Sequence, residues 1–337
     1  MRQFIFLAAL TAVSLSVGLG QEGPYKVLKK VKVGGAGGFD YVTADSAGRR
    51  LYVARSGATG ARINVFNLDT LEPVGEIPNV SAHGAVISTK SGHGFASSKP
   101  VTMFDSKTLA VLKTIDVEGN PDGMMYDPSS DRVYVLSHRE PHVTAINAAD
   151  GSIAGTVNIG GAPEQAASDG KGHIYIDVED KENVAVLDAR TLMVTGHYDL
   201  TGKGGVCAGL ALDVKNNVLF TACRNPQNMV VLSASEGKVL ATLPLGAGTD
   251  GAVFNPATME AFSSQGDGTL TIVKEKGPTA FDIEQNLTTM VSAKTLALDE
   301  KTGHLYLIAA EFGPAPAGGR GRGPLVPDSF TILVVGK

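Results

Sequence analysis

Tryptophan is absent from the 337 residues, charged side chains make up only 19% of them, and there are just two cysteines. The missing tryptophan removes the Trp-Asp signature of WD40 blades and the usual aromatic platform for stacking sugars. No Cys-x-x-Cys-His occurs, which excludes covalently attached c-type haem. Gly-x-Ser-x-Gly, a glycine-rich phosphate loop and a zinc-binding helix motif are also missing, so those routes to hydrolysis and nucleotide binding lack support. Beyond the N-terminus no stretch has a helical period, which disfavours helical solenoids. The formal net charge of −5 carries no basic nucleic-acid footprint, so a nucleic-acid partner is not expected. The local run Lys26, Lys29, Lys30 and Lys32 reads as a charged outer strand that discourages sheet-to-sheet association.

What the chain does have is a repeat. Seven times an aromatic residue sits inside a short apolar strand: Tyr52, Phe95, Tyr134, Tyr175, Phe220, Phe262 and Tyr306. Successive aromatics lie 43, 39, 41, 45, 42 and 44 residues apart. A near-constant period of this length means one supersecondary unit repeated. Ahead of the aromatic stands Asp45, Asp127, Asp169, Asp213, Asn255 or Asp299, with Ser88 departing from the pattern in the second unit. A third and a fourth strand follow, separated by turn signals such as Asp69-Thr70 and Glu236-Gly237. The strands are apolar on both faces, as expected where each small sheet is sandwiched between neighbours. The expected fold is therefore all-β: a seven-bladed β-propeller of four-stranded antiparallel blades.

The ends fit a closed ring. The last unit supplies three strands, near 295–298, 304–309 and 329–335, and then the chain stops. The segment 25–34 looks like an orphan fourth strand, so the N-terminal strand should complete the last blade and remove the exposed edges. Residues 1–20 read as a secretory signal peptide: Arg2, an apolar core over Phe4–Val17, and the small residues Gly18-Leu19-Gly20. Residues 21–337 then form one propeller domain, periplasmic or secreted, monomeric, and without a membrane span after signal cleavage. Cys207 and Cys223 flank the first hairpin of the fifth unit, and in an exported protein they should form a disulfide. A Pro/Gly-rich loop over 312–327 replaces a short connection in the last blade and is expected to be a disordered flap, with Arg320 and Arg322 in it.

Aligning the units places one residue of each at the channel entrance: Asp40, His83, Asp122, Glu164, Ala208, Asp250 and Lys294. The exits of the second strands add Arg55, Lys99, His138, Glu179, Arg224 and Gln265 to the same face. Asp40, His83, Asp122, Glu164, Asp250, Lys294, Arg55 and Arg224 are accordingly the expected ligand-binding set, the two arginines as clamps for carboxylate or phosphate. Converging carboxylates repel unless a cation sits among them. Asp40, Asp122, Glu164 and Asp250 could hold a divalent cation such as calcium, with His83 as a base beside it. The competing expectation is that Asp122-Gly123 and Asp250-Gly251 are turn caps.

The units Asp127-Pro128-Ser129-Ser130-Asp131-Arg132-Val133-Tyr134-Val135 and Arg50-Leu51-Tyr52-Val53-Ala54, each followed by a Val-x-Val-like strand, resemble the YVTN-type repeats of YncE-like bacterial exported propellers. The resemblance covers the chain from Tyr25 to the C-terminus. It implies a seven-bladed exported protein and carries over no catalytic residues, because its motifs are packing residues. The expected function is a non-catalytic binding or scaffold propeller that presents its channel mouth to a small molecule, peptide or surface partner. The alternative is a metal-dependent hydrolase resembling the propeller lactonases, using the channel-mouth carboxylates.

Overall fold

The computed structural model describes residues 22–58, 60–315 and 323–337. The signal-peptide segment, and Arg320 and Arg322 of the long loop, lie outside them. Seven four-stranded antiparallel sheets are present among the described residues, each with its strands in sequential order except the last. That blade runs β26 (Leu296–Leu298), β27 (Leu305–Ala309), β28 (Thr331–Gly336) and then β1 (Lys26–Lys32) outermost. β1 pairs antiparallel with β28 from Lys26↔Gly336 to Lys32↔Thr331, so the N-terminal strand closes the ring as expected.

There is no single core. The buried apolar residues fall into seven clusters, one at each contact between neighbouring blades. This explains why the strands are apolar on both faces. The repeated aromatics are all buried, and the tyrosines among them also rivet the ring. Tyr52 Oη donates to Ser106 O, Tyr134 to Ala189 O, Tyr175 to Ala234 O and Tyr306 to Leu68 O, each time reaching the next blade. The last of these joins the seventh blade to the first. The upstream acidic positions have a local task. The side chains of Asp45, Asp127, Asp169, Asp213, Asn255 and Asp299 accept from backbone N–H groups two or three residues ahead, capping the turn out of the innermost strand. Ser88, which breaks the pattern in sequence, does the same job through Oγ to Ser91 N.

A clasp secures the closure. Tyr25 N donates to Gln285 Oε1 at 2.9 Å, and Gln285 Nε2 returns a bond to Tyr25 O at 2.9 Å. Tyr25 Oη and Lys337 Nζ both donate to Glu260, which is fully buried in the sixth blade. Both ends of the described chain are thus tied to one carboxylate. Cys207 and Cys223 lie opposite each other in the hairpin register and form the expected disulfide. The long loop differs from the flap expectation at its base. Phe312 pairs with Leu325, Val326 N donates to Glu311 O, and Phe312 packs against Phe39, so the described part of 312–327 is an ordered stem. No helix among the described residues is long and apolar enough to cross a membrane.

Candidate metal centre at the channel mouth

Five of the seven innermost strands deliver their site residue through a break in register, while Asp40 and Lys294 lie in the loops just ahead of theirs. His83 lies in β6 (Ala82–Ile87), Asp122 in β10 (Pro121–Asp127), Glu164 in β14 (Pro163–Ser168), Ala208 in β18 (Cys207–Asp213) and Asp250 in β22 (Thr249–Asn255). In all five blades the pairing with the second strand shifts at that residue. A bulge frees a side chain from the alternation of the strand and re-aims it, here into the mouth. In four of these five blades a glycine follows (Gln165 takes its place in the fourth blade) and serves close approach. A Cβ on Gly123 would sit 2.5 Å from Glu164 O, and one on Gly209 would meet Gly251 C at 2.7 Å. Asp122 and Asp250 therefore do not cap turns: they lie inside strands, and their glycines let neighbouring strands crowd the channel.

The mouth is a cavity of about 600 Å³ lined by Asp40, His83, Asp122, His138, Glu164, Glu179, Arg224, Asp250 and Lys294, with Arg139, Ala162 and Asp180 at its edge. Charges alternate around it. Lys294 Nζ donates to Asp40 Oδ1 at 3.0 Å and also to Asp250 Oδ2. Asp40 Oδ2 lies 2.9 Å from His83 Nδ1, which is 3.3 Å from Asp122 Oδ1. Asp122 Oδ2 lies 3.7 Å from His138 Nδ1, and Glu164 Oε2 lies 2.8 Å from that same nitrogen. Arg224 completes the circuit, donating to Glu179 Oε1 at 2.8 Å and to Asp250 Oδ1.

The titration behaviour follows from this ring. The bond to Asp40 raises the His83 pKa above the ordinary histidine range, and the bond to Glu164 does the same for His138. Burial alone would raise the Asp40 carboxyl, but His83 and Lys294 outweigh it and hold it below its ordinary value. Burial pushes Asp122 up to about 6; His83 opposes the rise, and Glu164 and Asp40 add to it. Burial also keeps the Tyr41 hydroxyl neutral, and it donates to Glu164 Oε1 at 3.3 Å.

Among the described residues, two groups of mixed nitrogen and oxygen donors are close enough to hold an ion: Asp40, His83 and Asp122, and Asp122, His138 and Glu164. Within each, the three donor atoms lie within 4.8 Å of one another. Bonds of about 2.1 Å in a tetrahedral site put ligand atoms roughly 3.4 Å apart, close to the 2.9 and 3.3 Å around His83 Nδ1. Asp122 Oδ1 is buried and makes no hydrogen bond, although it lies 3.3 Å from His83 Nδ1. These clusters overturn the expectation of a non-catalytic binding propeller and fit the metal-dependent alternative.

Three expected members fare differently. Asp250 is outside both clusters, and its two oxygens are paired with Lys294 and Arg224. Arg224 lines the mouth but clamps two carboxylates of its own chain. Arg55 is not at the mouth: it is fully buried, donates to Gly34, Gly35 and Gly37 carbonyls, and lies 3.8 Å over the Phe330 ring. Burial pushes its pKa down to about 10. Two contributors were absent from the expected set. His138 and Glu179 directly follow the second strands β11 (Arg132–Ser137) and β15 (His173–Val178), in the position Arg55 occupies after its own strand core. That shared position was their only signal. His142, four residues beyond His138, stands apart beside Glu118 and Glu140 at 3.8 and 4.0 Å.

Beneath the mouth the channel is a second cavity of about 520 Å³, lined largely by apolar side chains including Met124, Met125, Leu210, Phe254 and Leu296, and it shares Glu164 with the mouth.

No family model matches the chain, and no curated protein matches it in sequence. Solved structures do match in fold. A chain in the crystal structure of a mitotic checkpoint complex is 13% identical with a TM-score of 0.72, covering 99% of this chain and 98% of that one. The U3-55K structure is 13% identical with a TM-score of 0.72, covering 92% and 98%. The WD40 repeats of RRP9 are 12% identical with a TM-score of 0.73, covering 94% and 100%. At such identity the likeness is one of fold alone, and the fold is a seven-bladed β-propeller.

Proposed function

We propose that this chain is an exported, metal-dependent hydrolase of the YncE-like, YVTN-repeat type, with its reaction centre at the channel mouth. The observation that carries the proposal is the pair of His/carboxylate clusters meeting at Asp122. Asp40, His83, Asp122, His138 and Glu164 are the proposed ligands, which makes His83 a ligand and not a free base. Histidine alongside carboxylate favours a first-row ion such as Zn²⁺ or Mn²⁺ over calcium. A divalent ion held there supplies a Lewis acid and lowers the pKa of water. The chain's own residues orient the set. Lys294 steadies Asp40, Tyr41 holds Glu164, and Arg224 with Lys294 keeps Asp250 out of the ligand set. The proposed substrate is a small ester or lactone whose carbonyl faces the clusters while its apolar part enters the channel. Export is supported by the N-terminal Arg2 and Phe4–Val17 pattern and by the disulfide, which belongs to an oxidising compartment.

The test is thermal unfolding and hydrolysis of ester and lactone panels by metal-stripped protein, with Zn²⁺, Mn²⁺ or Ca²⁺ restored. At an ion concentration of 100 Kd, binding to the folded state adds about 2.7 kcal/mol of stability. Stabilisation and turnover that both disappear in Asp122→Asn support the proposal. Neither effect with any ion would sink it.

A further inference from the structure

We propose that the mouth holds two divalent ions bridged by the Asp122 carboxylate, one on the His83 side and one on the His138 side. This rests on the metal-dependent reading above and goes a step past it. Asp122 is the one residue common to both clusters, and its two oxygens are divided between them. Oδ1 faces His83 Nδ1 at 3.3 Å, and Oδ2 faces His138 Nδ1 at 3.7 Å. A carboxylate that offers one oxygen to each of two imidazoles is arranged as a bridge.

Independent features point the same way. Asp122 is 7% exposed, and its Oδ1 accepts no hydrogen bond of good geometry, its one charged neighbour being the His83 ring at 3.3 Å. Leaving a buried acceptor unsatisfied is costly, more so when it carries charge, and an ion on that side would remove the cost. The outer ligand of each cluster is already held from behind, Asp40 by Lys294 at 3.0 Å and Glu164 by Tyr41 at 3.3 Å. Glu179 Oε2, 3.9 Å from His138 Nδ1, is close enough to add a further oxygen on the second side. The charge balance also asks for more than one ion. With both histidines neutral, as metal-ligating imidazoles are, the six carboxylates lining the mouth (Asp40, Asp122, Glu164, Glu179, Asp180 and Asp250) exceed its three cations (Arg139, Arg224 and Lys294) by three charges. One divalent ion leaves the mouth anionic, whereas two bring it past neutrality and accommodate a hydroxide or a substrate anion. Three protein ligands per ion leave open positions on both, and paired ions about 3.5–4 Å apart clamp the attacking and leaving oxygens of a displacement.

The experiment is titration of metal-stripped full chain with Mn²⁺, read by calorimetric stoichiometry and by electron paramagnetic resonance. Two ions per chain and a spin-coupled pair signal are expected. Asp122→Asn should abolish the coupled signal. His83→Asn and His138→Asn should each leave one ion per chain with an uncoupled signal, and they keep the test decisive if the Asp122 variant misfolds. One ion in the unmodified chain would overturn the pair while leaving the hydrolase proposal standing. Two uncoupled ions would overturn the Asp122 bridge. Binding of neither Mn²⁺ nor Zn²⁺ would overturn both.

Discussion

Replacing Glu275 by glutamine should make the protein more stable at pH 8 and leave it nearly unchanged at pH 4.5. Glu275 and Asp213 meet at the junction of the fifth and sixth blades, 3% and 1% exposed. Asn216 Nδ2 donates to Glu275 Oε1 at 2.7 Å, but Glu275 Oε2 and Asp213 Oδ2 have no partner while both are ionised. A proton on Glu275 lets its carboxyl donate to Asp213. Burial, reinforced by the charge of Asp213, pushes the Glu275 pKa up to about 7. The folded state therefore binds more protons than the unfolded chain between about pH 4.5 and 7, and stability must fall as pH rises through that window. At about 1.4 kcal/mol per pH unit the shift bounds the effect at roughly 3.5 kcal/mol, and relaxation and water penetration around the buried pair lower it to on the order of 1–2 kcal/mol. A glutamine amide donates to Asp213 at every pH and removes the penalty. Urea midpoints measured from pH 4.5 to 8 on both proteins isolate this pair, because all other titrations cancel in the difference. Parallel curves, or a variant weaker at pH 8, would refute the bond from Glu275 to Asp213.

Other consequences concern the ring and the site. Cys207→Ser with Cys223→Ser should cost about 3 kcal/mol, the chain-entropy value for a loop of this size (separation 16), seen as a lower urea midpoint. Gly123→Ala should destabilise by about 1–3 kcal/mol and weaken ion binding, because its Cβ must displace the Glu164 backbone at 2.5 Å; unchanged melting would contradict the close approach. Deleting residues 22–32 removes β1 and exposes the edge of β28, so size-exclusion chromatography should show association or aggregation where the full chain does not. Lys337→Met should lower the melting temperature by taking a donor from the buried Glu260, a loss of about 1–3 kcal/mol that Glu260→Gln partly restores.

The number of blades, their strand order and the closure are all legible in the residue pattern. These depend on a local pattern repeated seven times, and a buried aromatic such as Tyr134 or a turn cap such as Asp127 acts within its own unit or against the next. Most of the mouth is legible there too, because position ahead of or within the innermost strand fixes which end of the channel a residue faces. Asp40, His83, Asp122, Glu164, Asp250 and Lys294 all line the cavity for that reason. Who pairs with whom once they arrive emerges on folding. Asp250 is claimed by Lys294 and Arg224, Arg55 folds beneath the 34–37 carbonyls, and Asp122 is left between two histidines. Those outcomes turn on differences of an ångström or so between side chains from different blades. They are set by the ring radius, the bulges and the glycine contacts that bring neighbouring strands together. No single unit of the repeat encodes that distance, because it is a property of seven units closed on one another.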